Sequence, residues 1–206
     1  MALVKLNNRG VRSATTFGSI TALGEMRFIK KQTASASATI SFVDGASDVV
    51  LDNTYKEYLF TFNNIHPGTD NKQLTVGFRD GGSAYDAVKT TTLFLAYHEE
   101  GDGSAALSYS TSYDLAQSTA FQPITGLLSA NETDACGAGY LYLFNPSSTT
   151  FVKHFMSSSV CNTASNESSQ DHAAGYCNTT TAIDGVQFKM SSGNIDAGDI
   201  CLYGIN

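Results

Sequence analysis

Three neighbouring carboxylates, Glu99, Glu100 and Asp102, are of the type and spacing that could carry out acid–base chemistry. Glycosidases use two carboxyl groups held about 5 to 10 Å apart, one as an acid and one as a base or nucleophile. The surrounding sequence, HEEGDGSAA, is polar and contains two glycines, which is typical of a solvated hairpin tip. We therefore interpret these carboxylates as turn residues.

The sequence contains no clear motif for metal binding or for nucleophilic catalysis. The histidines, His66, His98, His154 and His172, do not recur at the spacing of metal ligands. Asp80 precedes two glycines but lacks the alternating acidic positions of a calcium loop, so it is interpreted as a turn. Glycine-rich phosphate loops, H-E-x-x-H and G-x-S-x-G are all absent from the sequence. We predict no enzymatic activity, no cofactor and no metal site.

Four cysteines, Cys136, Cys161, Cys177 and Cys201, lie in the last third of the chain without a C-x-x-C spacing. Neither a zinc ribbon nor a thioredoxin-like motif is therefore indicated. We predict buried free thiols, because cysteine often behaves as a small buried apolar residue. A disulfide between Cys161 and Cys177 is the alternative.

Tyrosines are the remaining candidates for ligand binding, because their rings could stack on sugars. In β-strands, however, tyrosine is also favoured for packing against neighbouring strands. Most of the candidates are accordingly predicted to be packing residues, and a carbohydrate-binding surface is the alternative. The residues concerned are Tyr85, Tyr97, Tyr109, Tyr113, Tyr140, Tyr142 and Tyr176.

Short β-strands are the elements that would position all these side chains. Apolar and polar residues alternate on both sides of a turn at 63–68, so that each flanking strand has one apolar face. Similar alternation predicts about a dozen strands, with a terminal hairpin formed by 186–190 and 199–203. Residues 112–120 are the best helical candidate, and 157–170 is the most loop-like interior segment. We predict an all-β, antiparallel two-sheet sandwich of jelly-roll type, with an up-and-down barrel as the alternative.

Residues 1–24 show no sustained periodicity and are predicted to form an extended N-terminal arm, whereas residues 25–206 are predicted to form a β-sandwich domain. Residues 1–31 carry six basic residues and one acidic residue, a net charge of +5, whereas residues 32–206 carry −12. The acidic body argues against binding nucleic acid. We predict that Lys5, Arg9 and Arg12 dock the arm during assembly. No apolar stretch approaches the roughly 20 residues that span a bilayer, and no secretory signal is recognised, so membrane insertion is not expected.

Three stretches carry a resemblance to a known family: TYKEYLFTFNNIHPGTDN, LFNPSSTTFVKHF and AGYCNTTTAIDGVQFKMSSGNIDAGDICLYGI. In residue type and spacing they resemble small structural proteins of marine tailed bacteriophages, including phages of cyanobacteria. The resemblance implies a β-sandwich on the exterior of the virion, either a capsid decoration protein or a tail-fibre component, with no catalytic residue.

From this resemblance we expect synthesis in a host cytoplasm, location in the virion, and other capsid or tail proteins as partners. A homo-oligomer is also expected. A carbohydrate-binding module that attaches the particle to a host surface glycan is the alternative function, and a depolymerase is the third hypothesis.

Overall fold

A computed structural model of the chain describes residues 26–206, and these residues form β-strands without any helix. The predictions for the arm, residues 1–24, and for Lys5, Arg9 and Arg12 lie outside the described residues. The strands are β1 (Met26–Ser37), β2 (Ile40–Val43), β3 (Glu57–Pro67), β4 (Leu74–Arg79), β5 (Lys89–Glu99), β6 (Ala105–Tyr109), β7 (Gln122–Pro123), β8 (Gly137–Phe144), β9 (Lys153–Asn162), β10 (Glu167–Cys177), β11 (Gly185–Met190) and β12 (Ile195–Ile205).

The strands form two antiparallel sheets. The larger has eight strands in the order β1-β12-β3-β8-β9-β10-β5-β6, and the smaller has four in the order β2-β11-β4-β7. This arrangement confirms the predicted all-β, two-sheet antiparallel sandwich. It excludes the single closed sheet of an up-and-down barrel.

The core lies between the sheets because alternate residues of each strand are apolar. Phe60 of β3 packs against Phe42 of β2 and Phe188 of β11, with ring centroids 5.4 and 5.5 Å away. All three rings are fully buried. Burying a side chain of this size contributes roughly 1.5 to 3 kcal/mol, so these contacts across the sandwich are a main source of its stability.

The predicted terminal hairpin is wrong, although both of its strands exist. β11 pairs with β2 and β4 in the smaller sheet, whereas β12 pairs with β1 and β3 in the larger one. The turn around Gly193, which has a φ of 76°, therefore carries the chain from one sheet to the other. Alternation identifies a strand with one buried face, but it does not identify the strand's neighbours.

Most of the polar segment 157–170 is strand and not loop, because β9 continues to Asn162 and β10 begins at Glu167, which leaves only 163–166 as a turn. Serine side chains that point into the sandwich find backbone acceptors there. Ser157 Oγ donates to the Ala173 carbonyl at 3.4 Å, and Ser159 Oγ donates to the Ile124 carbonyl at 2.7 Å. These hydrogen bonds allow a serine-rich stretch to be buried without unsatisfied polar groups.

Three smaller differences also separate the prediction from the structure. Residues 112–120 are not helical, since the Thr91 N–H and hydroxyl pair with the backbone of Leu115 instead. Alternation also predicts a strand from Val49 to Leu51, but this stretch is a connecting segment in which both Val49 and Leu51 are buried. The two-residue strand β7 was not predicted, because it is too short to show alternation.

All four cysteines are free thiols. Cys177 pairs with Lys153 in the sheet, and Cys161 lies eight residues further along β9. At about 3.3 Å per residue this separates the two sulfur-bearing residues by about 26 Å, far beyond the reach of a disulfide. The alternative of a Cys161–Cys177 disulfide is therefore wrong.

Two of the thiols should be much less reactive than the other two. Burial raises the pKa of both Cys161 and Cys177 to about 12, whereas Cys136 and Cys201 are only half-buried. Titration of the native protein with a thiol reagent at pH 8 should give two early equivalents. Cys161 and Cys177 should react on the order of a thousandfold more slowly, because the protein must unfold locally or globally before the reagent can reach their thiols. Four equally fast thiols, or fewer than four in denaturant, would contradict this assignment.

Candidate interaction surface

The exposed side of the eight-stranded sheet, called the outer face below, carries most of the exposed apolar side chains. Among residues 26–206, nine large hydrophobic side chains are well exposed. Strand register places eight of them on the outer face, and Phe151 is the exception. The eight are Met26, Phe28, Phe94, Leu107, Tyr109, Tyr140, Met156 and Val160. Their concentration on one side marks a surface suited to a partner.

These side chains form rows across the sheet, because directly paired residues of neighbouring strands point to the same face. The first row is Phe28, Tyr203, Leu59, Tyr142, Met156, Ala174 and Thr92. The second row is Lys31, Cys201, Thr61, Tyr140, Ser158, His172, Phe94 and Tyr109. Two hydrogen-bonded rows therefore run from one edge of the larger sheet towards the other.

Ring contacts fix the aromatic side chains of the outer face to one another. The Tyr142 ring packs edge-on against the Tyr140 ring, with 5.7 Å between ring centroids. It stacks on the Phe144 ring, with 6.0 Å between ring centroids. Phe94 stacks on His172 at 4.9 Å. Such pairs contribute about 0.5 to 1.5 kcal/mol each beyond the area they bury, so this surface is preorganised and loses little side-chain entropy on contact.

Two shallow hollows interrupt the outer face where small residues replace aromatic ones. One, of ≈ 380 Å³, surrounds Ala174 and is bordered by Met156 and Tyr176. The other, of ≈ 360 Å³, surrounds Ala138 and is bordered by Val160. The outer face is therefore uneven, with protruding aromatic side chains beside hollows, and a partner protein of complementary shape could pack against it.

Charged groups lie away from the centre of the outer face. The first row contains no charged side chain, and the second contains only Lys31, on the edge strand. Lys31 Nζ lies 3.2 Å from Asp199 Oδ2 in an exposed ion pair. The hydrogen bonds from Thr33 and Lys31 lower the pKa of Asp199. An apolar centre with charges at its margin is the usual anatomy of a protein–protein interface.

The predicted turn carboxylates occupy the connection between β5 and β6. Asp102 has a φ of 58°, and its N–H donates to the Glu99 carbonyl at 3.0 Å. Its carboxylate contacts His98 Nε2 at 3.0 Å in an exposed pair. This geometry confirms the interpretation of these residues as a turn. The predicted lack of enzymatic activity stays a prediction.

The other candidate site residues are dispersed. His66 Nδ1 contacts the Ala135 carbonyl at 2.7 Å, and His154 lies beside Tyr176, 6.1 Å away between ring centroids. Asp80 immediately precedes Gly81, whose φ is 100°. Within residues 26–206, no group of three or more His, Cys, Asp or Glu side chains is placed to hold a metal ion.

Two buried lysines, Lys89 and Lys153, flank Cys177 in adjacent strands. Lys89 Nζ donates to the Ala87 carbonyl at 2.7 Å, and Lys153 Nζ donates to the carbonyls of Thr179 and Thr181 at 3.1 and 2.5 Å. Burial lowers the pKa of both ammonium groups. Their hydrogen bonds to backbone carbonyls tie neighbouring loops to the sheet, which is a structural use of these amines.

Six of the seven candidate tyrosines divide between two places. Tyr109, Tyr140, Tyr142 and Tyr176 belong to the outer face, whereas Tyr97 lies on the inner side of the sheet. Tyr113 lines the same inner cavity as Tyr97. Sequence reasoning missed the apolar outer face as a whole. The signal that could have indicated this face is the run from Tyr140 to Phe144 in β8. Its residues are aromatic or aliphatic on both sides of the strand, whereas a strand with one solvated side would alternate with polar residues.

Comparisons of the chain with protein-family models, with curated proteins and with solved structures found no match. Among residues 26–206, none forms a helix of the length and apolar character needed to cross a bilayer.

Proposed function

We propose that this chain is a structural protein of a tailed-bacteriophage virion, displayed on the particle exterior as a capsid decoration protein or a tail-fibre component. The outer face is the observation that carries the assembly role, because it is a wide, preorganised apolar surface with an uncharged centre. The resemblance to phage structural proteins supplies the kind of particle. The resembling stretches include β3 and β12, which lie side by side in the larger sheet.

We further infer a jelly-roll connectivity from the strand order. Four strands, β1-β12-β3-β8, lie side by side in the larger sheet and face β2-β11-β4-β7. The connections β1 to β2, β3 to β4, β7 to β8 and β11 to β12 each pass from one sheet to the other, which supports two Greek keys. The strands β9, β10, β5 and β6 then widen the larger sheet and, with it, the outer face.

The proposed occupant of the outer face is a second copy of this chain. The outer face spans eight strands and, from His154 to Val160 in β9, four alternate residues, which is about 35 Å by 20 Å for ordinary strand spacing and rise. That corresponds to about 700 Å² per partner, close to the roughly 800 Å² that a specific interface buries on each side. A face with aromatic ridges and hollows and little charge can pair with itself about a two-fold axis without like-charge repulsion.

A carbohydrate-binding host-attachment module is the alternative function. One observation favours it: a cavity on the inner side of the larger sheet combines tyrosines with buried polar groups. Attachment and virion assembly are compatible, since a decoration or fibre protein can also bind a host glycan.

Quantitative mass spectrometry of purified particles tests the virion role. The chain should co-purify with the particles through a density gradient, in a fixed ratio to the major capsid or tail protein. A high copy number would favour capsid decoration, and a low one a fibre. Expression during infection without incorporation into particles would contradict the proposal.

A further inference from the structure

A cavity of ≈ 210 Å³ lies on the inner side of the eight-stranded sheet, opposite the outer face. β10 and β5 supply one wall through Glu167, Ser169, Asp171, Leu95 and Tyr97. Connecting segments supply the rest through Gln73, Tyr113, Gly126, Leu127, Thr163 and Ser165. None of these lining residues belongs to β2, β4 or β11, so the cavity is separate from the main core.

The floor of the cavity holds a buried carboxylate. Asp171 is 2% exposed, and its Oδ2 accepts a hydrogen bond from Ser169 Oγ at 3.0 Å. Burial raises the pKa of Asp171, while hydrogen bonds from Ser169 and from the Gly126 backbone oppose that rise. A carboxyl group offers about four acceptor sites, so Asp171 keeps capacity for a ligand. Burying a carboxyl group costs free energy, and the hydrogen bonds from Ser169 and Gly126 offset that cost only in part.

The rim is more open and combines polar and aromatic groups. Glu167 accepts a hydrogen bond from Thr163 Oγ1 at 3.1 Å and is half-buried, as are Tyr97 and Tyr113. The Tyr97 hydroxyl contacts Ser104 Oγ at 3.2 Å. This contact anchors the outer end of the ring, whose body lines the cavity.

The lining decides the class of ligand. None of the described lining residues is Lys, Arg or His, and two are carboxylates, so an anion would be repelled. A simple cation needs acceptors alone, whereas this cavity is also lined by Gln73 and Tyr113, whose amide and hydroxyl groups can donate as well as accept. Hydroxyl groups of a ligand match such mixed partners.

The volume of the cavity limits the size of the ligand. A volume of ≈ 210 Å³ corresponds to about seven water molecules at roughly 30 Å³ each. It is smaller than the roughly 300 to 1,000 Å³ of pockets for drug-sized ligands. One sugar ring, with an apolar face for a tyrosine and hydroxyls around its edge, fits these limits.

We propose that this cavity binds a single neutral sugar ring at the end of a glycan. Asp171 accepts hydrogen bonds from ring hydroxyls at the floor, and Tyr97 contacts the ring at the mouth. Binding to one subunit is expected to be roughly millimolar, because a ligand of so few atoms makes few contacts. Useful affinity would then come from many copies acting together. This site does not depend on the virion role, because its geometry is complete within one subunit.

Saturation-transfer NMR on the full chain tests the site with a panel of neutral sugars: hexoses, deoxyhexoses, pentoses and N-acetylhexosamines. Galacturonic acid serves as the anionic probe and tetramethylammonium as the cationic probe. At least one neutral sugar should bind saturably, and both charged probes should bind more weakly. Failure of every neutral sugar, or tighter binding of a charged probe, would overturn the proposal.

Two variants connect such binding to the cavity. Asp171→Asn keeps the size of the side chain and removes one acceptor oxygen, and Tyr97→Ala removes the ring at the mouth. Each should weaken binding at least tenfold. The control, Asp102→Asn, changes an exposed carboxylate of the β5–β6 turn and should leave binding unchanged. If Asp171→Asn does not fold, the result for Tyr97→Ala alone tests the site. Unchanged sugar binding in either variant, once it is shown to be folded, would contradict the assignment of the site to this cavity.

Discussion

Replacing Met156 with glutamate should dissociate the proposed dimer without unfolding its subunits. Met156 is 49% exposed in the single subunit and lies in the first row of the outer face, between Tyr142 and Ala174. In the monomer the new carboxylate remains in water. In the proposed dimer it would be buried without a partner, at a cost of several kcal/mol. We expect the dissociation constant to rise by about 100-fold or more, since 1.4 kcal/mol is worth tenfold.

Sedimentation velocity over a range of protein concentrations measures this effect. Phe151→Glu is the matched control, because Phe151 is 69% exposed and lies in the connection between β8 and β9, outside the strands whose side chains form the outer face. It should leave the association constant unchanged. A wild-type chain that stays monomeric at high concentration would contradict pairing with a second copy. Equal dissociation by both variants would show that the outer face is not the contact.

Deleting residues 186–206 should abolish soluble expression. The deletion removes β12 and almost all of β11. Among the strands of residues 26–206, β2 then loses its one neighbour, and β1 loses the strand that joins it to the larger sheet. It also removes Phe188, Met190, Ile200 and Leu202, which are all 2% exposed or less. At roughly 1.5 to 3 kcal/mol each, their loss approaches or exceeds the whole stability of a typical domain, about 5 to 15 kcal/mol.

Single substitutions provide a graded form of this test. Leu202→Ala, at a fully buried position, should lower the free energy of unfolding by about 2 to 5 kcal/mol. Lys189→Ala, in β11 of the smaller sheet, removes a contact between Nζ and the Phe121 ring at 4.1 Å, so its effect should stay near about 1 kcal/mol or below. Urea denaturation measures both. A soluble truncated protein that melts cooperatively would show that these strands are peripheral.

The strands themselves could largely be predicted from the sequence, because burial of one face leaves a local trace. Phe60 and Phe62 alternate with polar residues, and both are fully buried in β3. The partners of a strand leave no such trace. β3 and β4 flank a turn yet belong to different sheets, since the chain crosses the sandwich at that turn instead of folding back within one sheet.

Hydrophobicity alone also predicts burial wrongly at some positions, where polar residues are buried or apolar residues are exposed. Ser157 and Ser159 are buried, because backbone carbonyls from distant segments accept their hydrogen bonds. Met156 and Val160, in the same strand, are exposed. Both observations depend on what lies opposite each side chain, which local sequence does not contain.

The candidate sites show the same limit. The turn role of Asp102 was predictable from its neighbouring glycines. The position of Asp171 was not, because its surroundings come from Gly126 and Gln73, far away in sequence. The outer face required the strand order, since its rows draw on residues from Phe28 to Tyr203.

A cryo-EM reconstruction of the phage particle is the most direct test of the proposed role. We expect density for this β-sandwich on the exterior of the capsid or tail, with the outer face, including Tyr142 and Met156, buried against another copy of the chain. A particle without this density would contradict the virion role. Copies whose outer face is open to solvent, or is covered by a different protein, would contradict the proposed contact.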